Sequence, residues 1–157
     1  MPPPQSRPVT RSDEAFLFDL FCSVRAAALE PANLPAAALE PLMRAQHAGQ
    51  RRTYASQFPG AEHSILLQDG QPVGASYVSR TEEEIRLVDV ALQPAHRGAG
   101  RGTAVVRALQ EEARASGRPL RLTVDVGNAG ARRLYQRLGF EEVDRSPTHI
   151  ELAWTPV

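Results

Sequence analysis

The chain contains no lysine: all 18 basic residues are arginine, offset by 18 aspartates and glutamates, so the formal net charge is zero. A neutral chain gives no argument for a nucleic-acid surface or an anionic membrane, and neither partner is expected. Nor does the protein regulate itself through lysines of its own. Cysteine is almost missing as well, and Cys22 alone excludes an internal disulfide and a cysteine-rich zinc site. Set in an apolar helical segment with no activating neighbour in sequence, it does not suggest a covalent route. His47, His96 and His149 show no metal-ligand spacing, and no metal is expected. The apolar stretches are too short and broken to span a bilayer. The opening MPPPQSRP lacks the apolar core of a signal peptide, so the expectation is a cytoplasmic protein. A length of 157 residues implies one domain over residues 1–157 with a substantial core, residues 1–8 forming a mobile or extended leader.

What the sequence does have is concentrated between Ile85 and Thr103, IRLVDVALQPAHRGAGRGT, where an apolar strand-like run ends in a glycine-rich basic turn. Gly98, Gly100 and Gly102 let the backbone take positive φ and approach a ligand without side chains in the way. Arg97 and Arg101 add fixed positive charge. Val105, Val106, Leu109 and Ala113 then recur at helical spacing, which places the turn at a helix N-terminus, where free N–H groups and the dipole favour an anion such as pyrophosphate. Taken alone, a glycine cluster is also just a turn. The Walker ending Gly-Lys-Ser or Gly-Lys-Thr is absent. The dinucleotide fingerprint fails too, because its third glycine position holds Thr103 counted from Gly98 and Val105 counted from Gly100. What remains is Arg-x-x-Gly-x-Gly, from Arg97 to Gly102.

The flanking segments read as ordinary punctuation. Thr10, Ser12 and Asp13 are candidate caps for a helix carrying Phe16, Leu17, Leu20, Phe21 and Val24, which Pro31 and Pro35 break. A second helix runs from about Ala36 into the fifties on a stripe of Leu39, Leu42 and Met43, and Phe58-Pro59-Gly60 ends it. Ser64 to Gln68 and Pro72 to Arg80 form a hairpin across Asp69-Gly70, followed by a turn at Thr81 to Glu83 and a strand starting near Glu84. The helix after the glycine turn ends at Gly117. Final strands are expected near Glu141 to Asp144 and His149 to Trp154.

After Gly117 comes a second informative run, LRLTVDVGNAGARRLYQRLGFEEV, which reads as a strand, Asn128, and a short helix with Leu134-Tyr135 before Gly139-Phe140. With the Arg97 to Gly102 loop, this ordered pair of motifs resembles the GCN5-related N-acetyltransferase (GNAT) superfamily, closely from residue 85 to about 144 and by element order before that. The resemblance implies an α/β fold: a mixed, mostly antiparallel central sheet with splayed central strands and helices on both faces. It implies an acyltransferase that moves an acetyl group from acetyl-CoA to a primary amine by direct attack in a ternary complex. The pantetheine arm would pair with the backbone of Val90, Ala91 and Leu92. Arg97, Gly98, Ala99, Gly100, Arg101, Gly102 and Thr103 would hold the pyrophosphate. Asn128 would touch the cofactor, cap the next helix, or both.

Tyr135 is the candidate general acid for the leaving thiolate, its alternative being a core tyrosine with an emergent hydroxyl. Asp89 is the candidate base, since a carboxylate within an apolar run costs energy unless paired or protonated; a structural ion pair with an arginine explains it equally well. Glu84 is the other candidate. Some family members place a glutamate about where Arg86 stands. Arg86 therefore either grips an acidic substrate group or lies on a solvated sheet face, the reading preferred from sequence. By the resemblance, Tyr54, Phe58 and His63 fall where the family's helix and loop approach the acceptor site, and ordinary packing explains them as readily. A non-catalytic acyl-CoA-binding or sensing domain is the alternative function, a nucleotide-binding module a weaker third. The terminal strands and the Trp154 tail suggest a possible homodimer.

Overall fold

The computed structural model describes residues 2–29 and 35–156, the side chains of residues 27–29 apart. Pro31, expected to break the first helix, lies outside the described residues. Seven strands form one sheet in the order β1-β2-β3-β4-β5-β7-β6: β1 Gln5–Pro8, β2 Glu62–Gln68, β3 Gln71–Arg80, β4 Ile85–Leu92, β5 Leu120–Asp125, β6 Glu141–Arg145 and β7 His149–Trp154. Every neighbouring pair is antiparallel except β4 with β5. Helices α1 (Glu14–Leu29) and α2 (Ala36–Gln57) serve one face, and α3 (Arg101–Ser116) and α4 (Ala129–Arg137) the other.

Of the two readings of the leader, extended holds at Gln5–Pro8 and mobile does not: they form an edge strand on β2 with Arg7 opposite Ile65. The cause lies downstream. Arg7 makes two hydrogen bonds to the buried Asp13 carboxylate, at 2.8 and 2.9 Å, while Asp13 accepts from the Thr10 N–H at 2.8 Å. Those contacts hold the Asp13 carboxyl far below the usual carboxylate range and tie the leader to the start of α1.

Local sequence explains the other elements. Asp69 and Gly70 adopt φ of 52° and 77°, the left-handed pair that a two-residue hairpin turn requires between β2 and β3. Alternation along β4 and β5 puts Ile85, Leu87, Leu120 and Leu122 under α3, whose Val105, Val106, Leu109 and Ala113 form the matching stripe. Burying a side chain such as Ile85 stabilises the fold by about 1.5–3 kcal/mol. A smaller cluster, Leu17, Leu20, Ile65 and Ala75, seats α1 on the opposite face. Trp154, at the end of the expected final strand, turns inward and packs against the core. A Cβ on Gly139 would sit 3.3 Å from its ring, and the Arg114 guanidinium lies 5.3 Å from its centre.

Two irregularities shape the site. First, β4 and β5 pair only at Ile85 with Leu120 and Arg86 with Arg121, so the sheet opens into a V whose apex lies at Arg86. Second, the β3–β4 register steps from Val78 opposite Leu87 to Tyr77 opposite Asp89, leaving Val88 as a bulge. Strict alternation would send Asp89 into the core beside Ile85 and Leu87. The bulge turns it onto the face of Tyr77 instead.

Candidate active site

The open end of the V runs into the glycine turn. Gly98 and Gly100 have φ of 78° and 83°, and Gly100 caps α3 in the left-handed region, where any other residue is strained. Ala104 N–H is the first in the turn to find a helical carbonyl, that of Gly100 at 2.9 Å. Among the described residues, the N–H groups from Gly98 through Thr103 meet no acceptor. A Cβ built on Gly98 or Gly100 meets nothing within 4 Å, and one on Gly102 only reaches Leu92 at 4.0 Å. The turn is thus an open cradle of unsatisfied donors at a helix N-terminus, the surroundings a pyrophosphate needs.

The two loop arginines are already engaged. Arg97 donates to the Leu92 carbonyl at 2.9 Å and to Ser23 Oγ at 3.2 Å, while Arg101 donates to Gln68 and, at 3.3 Å, to the His96 carbonyl. They fasten the turn to the end of β4, to β2 and to α1. Gly74 on β3 supports the same corner from below: a Cβ there would fall on the Ala91 carbonyl oxygen, well inside contact distance, and 2.9 Å from Leu92 Cδ2. Val90, Ala91 and Leu92 line the V, with no β5 backbone opposite them. Asn128 caps α4, its side-chain oxygen accepting from the Ala131 N–H at 3.1 Å, so the capping role is met and the amide group remains exposed.

Tyr135, on α4, packs against the same core that takes Val90 and Leu92 from the edge of the gap. Its ring packs edge-on against Phe140 at 5.4 Å and adjoins the main core. Burial, then the negative charge of Asp89, pushes its phenol up, so the hydroxyl keeps its proton. Asp89 is exposed to solvent, but the protein crowding it raises its pKa, opposed by the Val90 N–H and by Arg25. Asp89 makes no ion pair among the described residues, so the expected structural pairing with an arginine is absent.

Glu84 is placed differently. Its carboxylate is 3.0 Å from Arg86 Nε and 3.9 Å from Arg121 Nε, at the closed apex of the V. Arg86 also forks onto Glu151 at 2.8 and 3.0 Å, reaching past β5, with its guanidinium 6.0 Å from the Phe58 ring. With a side chain only 15% exposed, Arg86 is not on a solvated face. It staples β4 to β7 just below the opening.

On the face covered by α1 and α2, the sheet register sets His63, Tyr77 and Asp89 in one transverse row. The Tyr77 ring lies 4.9 Å from His63 and 5.3 Å from Tyr54. Burial, with the Asp89 charge adding, pushes the Tyr54 phenol up to about 12, and burial with nearby Arg51 pulls His63 down to about 4. Both are neutral at pH 7. Sequence reading missed Tyr77, Gly74 and Arg25; for Tyr77 the available signal was its cross-strand register with Asp89. Cys22 is half-buried and its thiol is pushed up by burial, the opposite of an activated nucleophile. Among the described residues no group of three or more metal-ligating side chains occurs, and no helix is long and apolar enough to cross a membrane.

The profile of the acetyltransferase (GNAT) family matches residues 26–140. The chain belongs to that family. An uncharacterized N-acetyltransferase of Methanocaldococcus jannaschii is 38% identical over 82 residues, a match covering 47% of this chain and 36% of the relative. The aligned part is thus little more than a third of that protein. Among solved structures, an acetyltransferase from Thermus thermophilus superposes with a TM-score of 0.70 at 23% identity, covering 98% of this chain and 97% of the other. The PaiA N-acetyltransferase of Thermoplasma acidophilum, solved with coenzyme A, gives a TM-score of 0.70 at 13% identity over 96% and 98%. These likenesses concern the fold: the mixed sheet opened between β4 and β5 is a GNAT sheet.

Proposed function

We propose that this GNAT protein is an acetyl-CoA-dependent N-acetyltransferase, a single domain that acetylates a primary amine by direct attack in a ternary complex. The observation that carries the reading is the V between β4 and β5. It ends in a cradle of unpaired N–H groups and is flanked by two groups of complementary acid–base character, Asp89 and Tyr135. Acetyl-CoA fits the surroundings: the pyrophosphate on the turn from Arg97 to Thr103, the pantetheine arm along Val90, Ala91 and Leu92, and Asn128 at the far lip.

The acceptor arrives protonated and must lose a proton before its lone pair can attack. Asp89, unpaired and raised in pKa, takes that proton at its carboxylate. As the carbon–nitrogen bond forms, a backbone N–H near Leu92 receives the charge growing on the carbonyl oxygen. The carbon–sulfur bond then breaks, the nitrogen gives its second proton to water to become the amide, and the Tyr135 hydroxyl protonates the departing sulfur, its own proton being restored from solvent. Holding both substrates together supplies the entropic part of the acceleration. The non-catalytic acyl-CoA binder is favoured by one observation, Arg86 locked in ion pairs where some family members carry a glutamate. Thiol release from acetyl-CoA over a panel of primary amines separates the two. Release with at least one amine supports the transferase, and binding of acetyl-CoA with no release from any amine supports the binder.

A further inference from the structure

Away from the V, a cavity of about 170 Å³ lies between α3 and the edge half of the sheet, β1 to β3. Its floor follows from the strand register. On the face toward α3, Glu62 stands opposite Val78, then Ser64 opposite Ser76, then Leu66 opposite Gly74. Successive pairs on one face lie roughly 6.7 Å apart, so the floor passes from a charged end through hydroxyls to an apolar end. Ser6 of β1 adds a third hydroxyl, and Pro3 and Pro4 of the leader also line the cavity. Helix α3 runs along the same gradient, with Glu112 at the charged end and Leu109 and Val105 packed into the core that holds Leu66.

Two features of this lining point to a ligand. Ser76 is only 8% exposed, and among the described residues neither its hydroxyl nor those of Ser6 and Ser64 makes a hydrogen bond. A hydroxyl so deeply placed must find its partner in whatever fills the cavity. At the charged end, one arginine serves two carboxylates. Arg80 donates to Glu112 at 2.5 and 3.0 Å and to Glu62 at 3.1 Å. Two carboxylates against one guanidinium leave the lining one negative charge in excess, and Glu62 Oε1 accepts no hydrogen bond among the described residues.

We propose that this cavity is a second ligand site, one that binds a small amino alcohol. The excess carboxylate repels anions and draws an ammonium, a donor-only head that Glu62 accepts from. The ligand's hydroxyl meets Ser64 and Ser76, and its methylenes lie against the apolar side chains of α3. Size sets the length. A protein cavity of roughly 150 Å³ holds a molecule as large as benzene, so about six heavy atoms fit. An ammonium and a hydroxyl joined by four carbons also span roughly the spacing between neighbouring floor pairs. The site is separate from the V and does not depend on the transferase reading.

The experiment titrates the isotope-labelled protein, without cofactor, with 4-aminobutan-1-ol, butylamine, 1-butanol and butyrate, and reads backbone amide shifts by NMR. With the amino alcohol, the amides of Ser64, Ser76 and Ala108 should shift together and saturate in the millimolar range. Butylamine should bind about threefold more weakly, and butanol and butyrate about tenfold or more. Ser76→Ala should remove the advantage of the amino alcohol over butylamine, and Glu62→Gln that of butylamine over butanol. Ala108 lines the cavity from the exposed side of α3, so Ala108→Leu, a good helix former, should keep the fold and abolish the shifts at Ser64 and Ser76. The proposal is overturned by an absence of saturating shifts, by equal binding of butyrate, or by binding that Ala108→Leu leaves intact. Shifts at Tyr54 and Asp89 without Ser64 and Ala108 would put the amine on the other face of the sheet and overturn it too. None of these results bears on whether the protein is a transferase.

Discussion

The two sides of the V are built from different materials. On the side proposed for the cofactor the groups on offer are backbone N–H and C=O: the turn from Gly98 to Thr103 and the unpaired edge from Val90 to Leu92. On the side proposed for the acceptor they are side chains, gathered from α2, β3 and β4: Tyr54, Tyr77 and Asp89. A backbone site constrains the sequence locally, because only glycine tolerates the φ of Gly100 or leaves the cradle open. A side-chain site is assembled by folding alone and can change without disturbing the turn.

The sharpest way to break that contrast is in the turn. Gly100→Val strains a left-handed cap and fills the cradle, and should weaken acetyl-CoA binding by about 100-fold or more in a calorimetric titration. Gly102→Ala is the finer probe. Its Cβ meets only an ordinary contact with Leu92 at 4.0 Å, so the protein should fold unchanged and any lost affinity reports the closeness of the ligand. Retained affinity in a folded Gly100→Val protein would mean that the turn binds nothing.

On the acceptor side, Asp89→Asn should lower kcat by about 100-fold while leaving acetyl-CoA affinity intact. In the wild type, kcat/KM should fall as pH drops through the raised Asp89 pKa, because the base must be unprotonated; the variant should lose that limb. Tyr135→Phe should cost roughly 10- to 100-fold in kcat with little change in cofactor affinity, and an equal loss of both would make Tyr135 a packing residue. Glu84→Gln should leave kcat within about twofold but lower the melting temperature, since it loosens the Arg86 staple.

The smallest effect is on stability against pH. His63 is pulled down to about 4 in the folded protein, below its ordinary value near 6.5, so the unfolded chain takes up the proton first. Its contribution is fully present above about 6.5 and is lost as pH falls toward 4. His63→Gln should flatten that part of the stability curve, as read from urea midpoints between pH 4 and 7.

How far the sequence foretold this follows the same division. The hairpin at Asp69-Gly70, the α3 stripe and the turn from Arg97 to Gly102 were legible because each depends on residues close in sequence. Asp89 was picked out as a carboxylate in an apolar run, but its direction was not legible: the Val88 bulge that turns it outward arises from the β3 register, which no local pattern encodes. The pairing of Gln5–Pro8 with β2 was missed because its anchor, the bond from Arg7 to Asp13, is made by side chains outside the strand. Gly74 is no different in sequence from any strand glycine, because the Ala91 carbonyl that a Cβ would strike comes from the neighbouring strand. Arg86 was misplaced on solvent because its partner Glu151 is 65 residues away.

Calorimetric titration of the folded protein with acetyl-CoA, alongside dephospho-CoA, ATP and NAD, tests most directly that the V and its glycine turn form an acyl-CoA site. Micromolar binding of acetyl-CoA, with ATP and NAD far weaker, is the expected result. No binding of acetyl-CoA, or tighter binding of ATP or NAD, would contradict it.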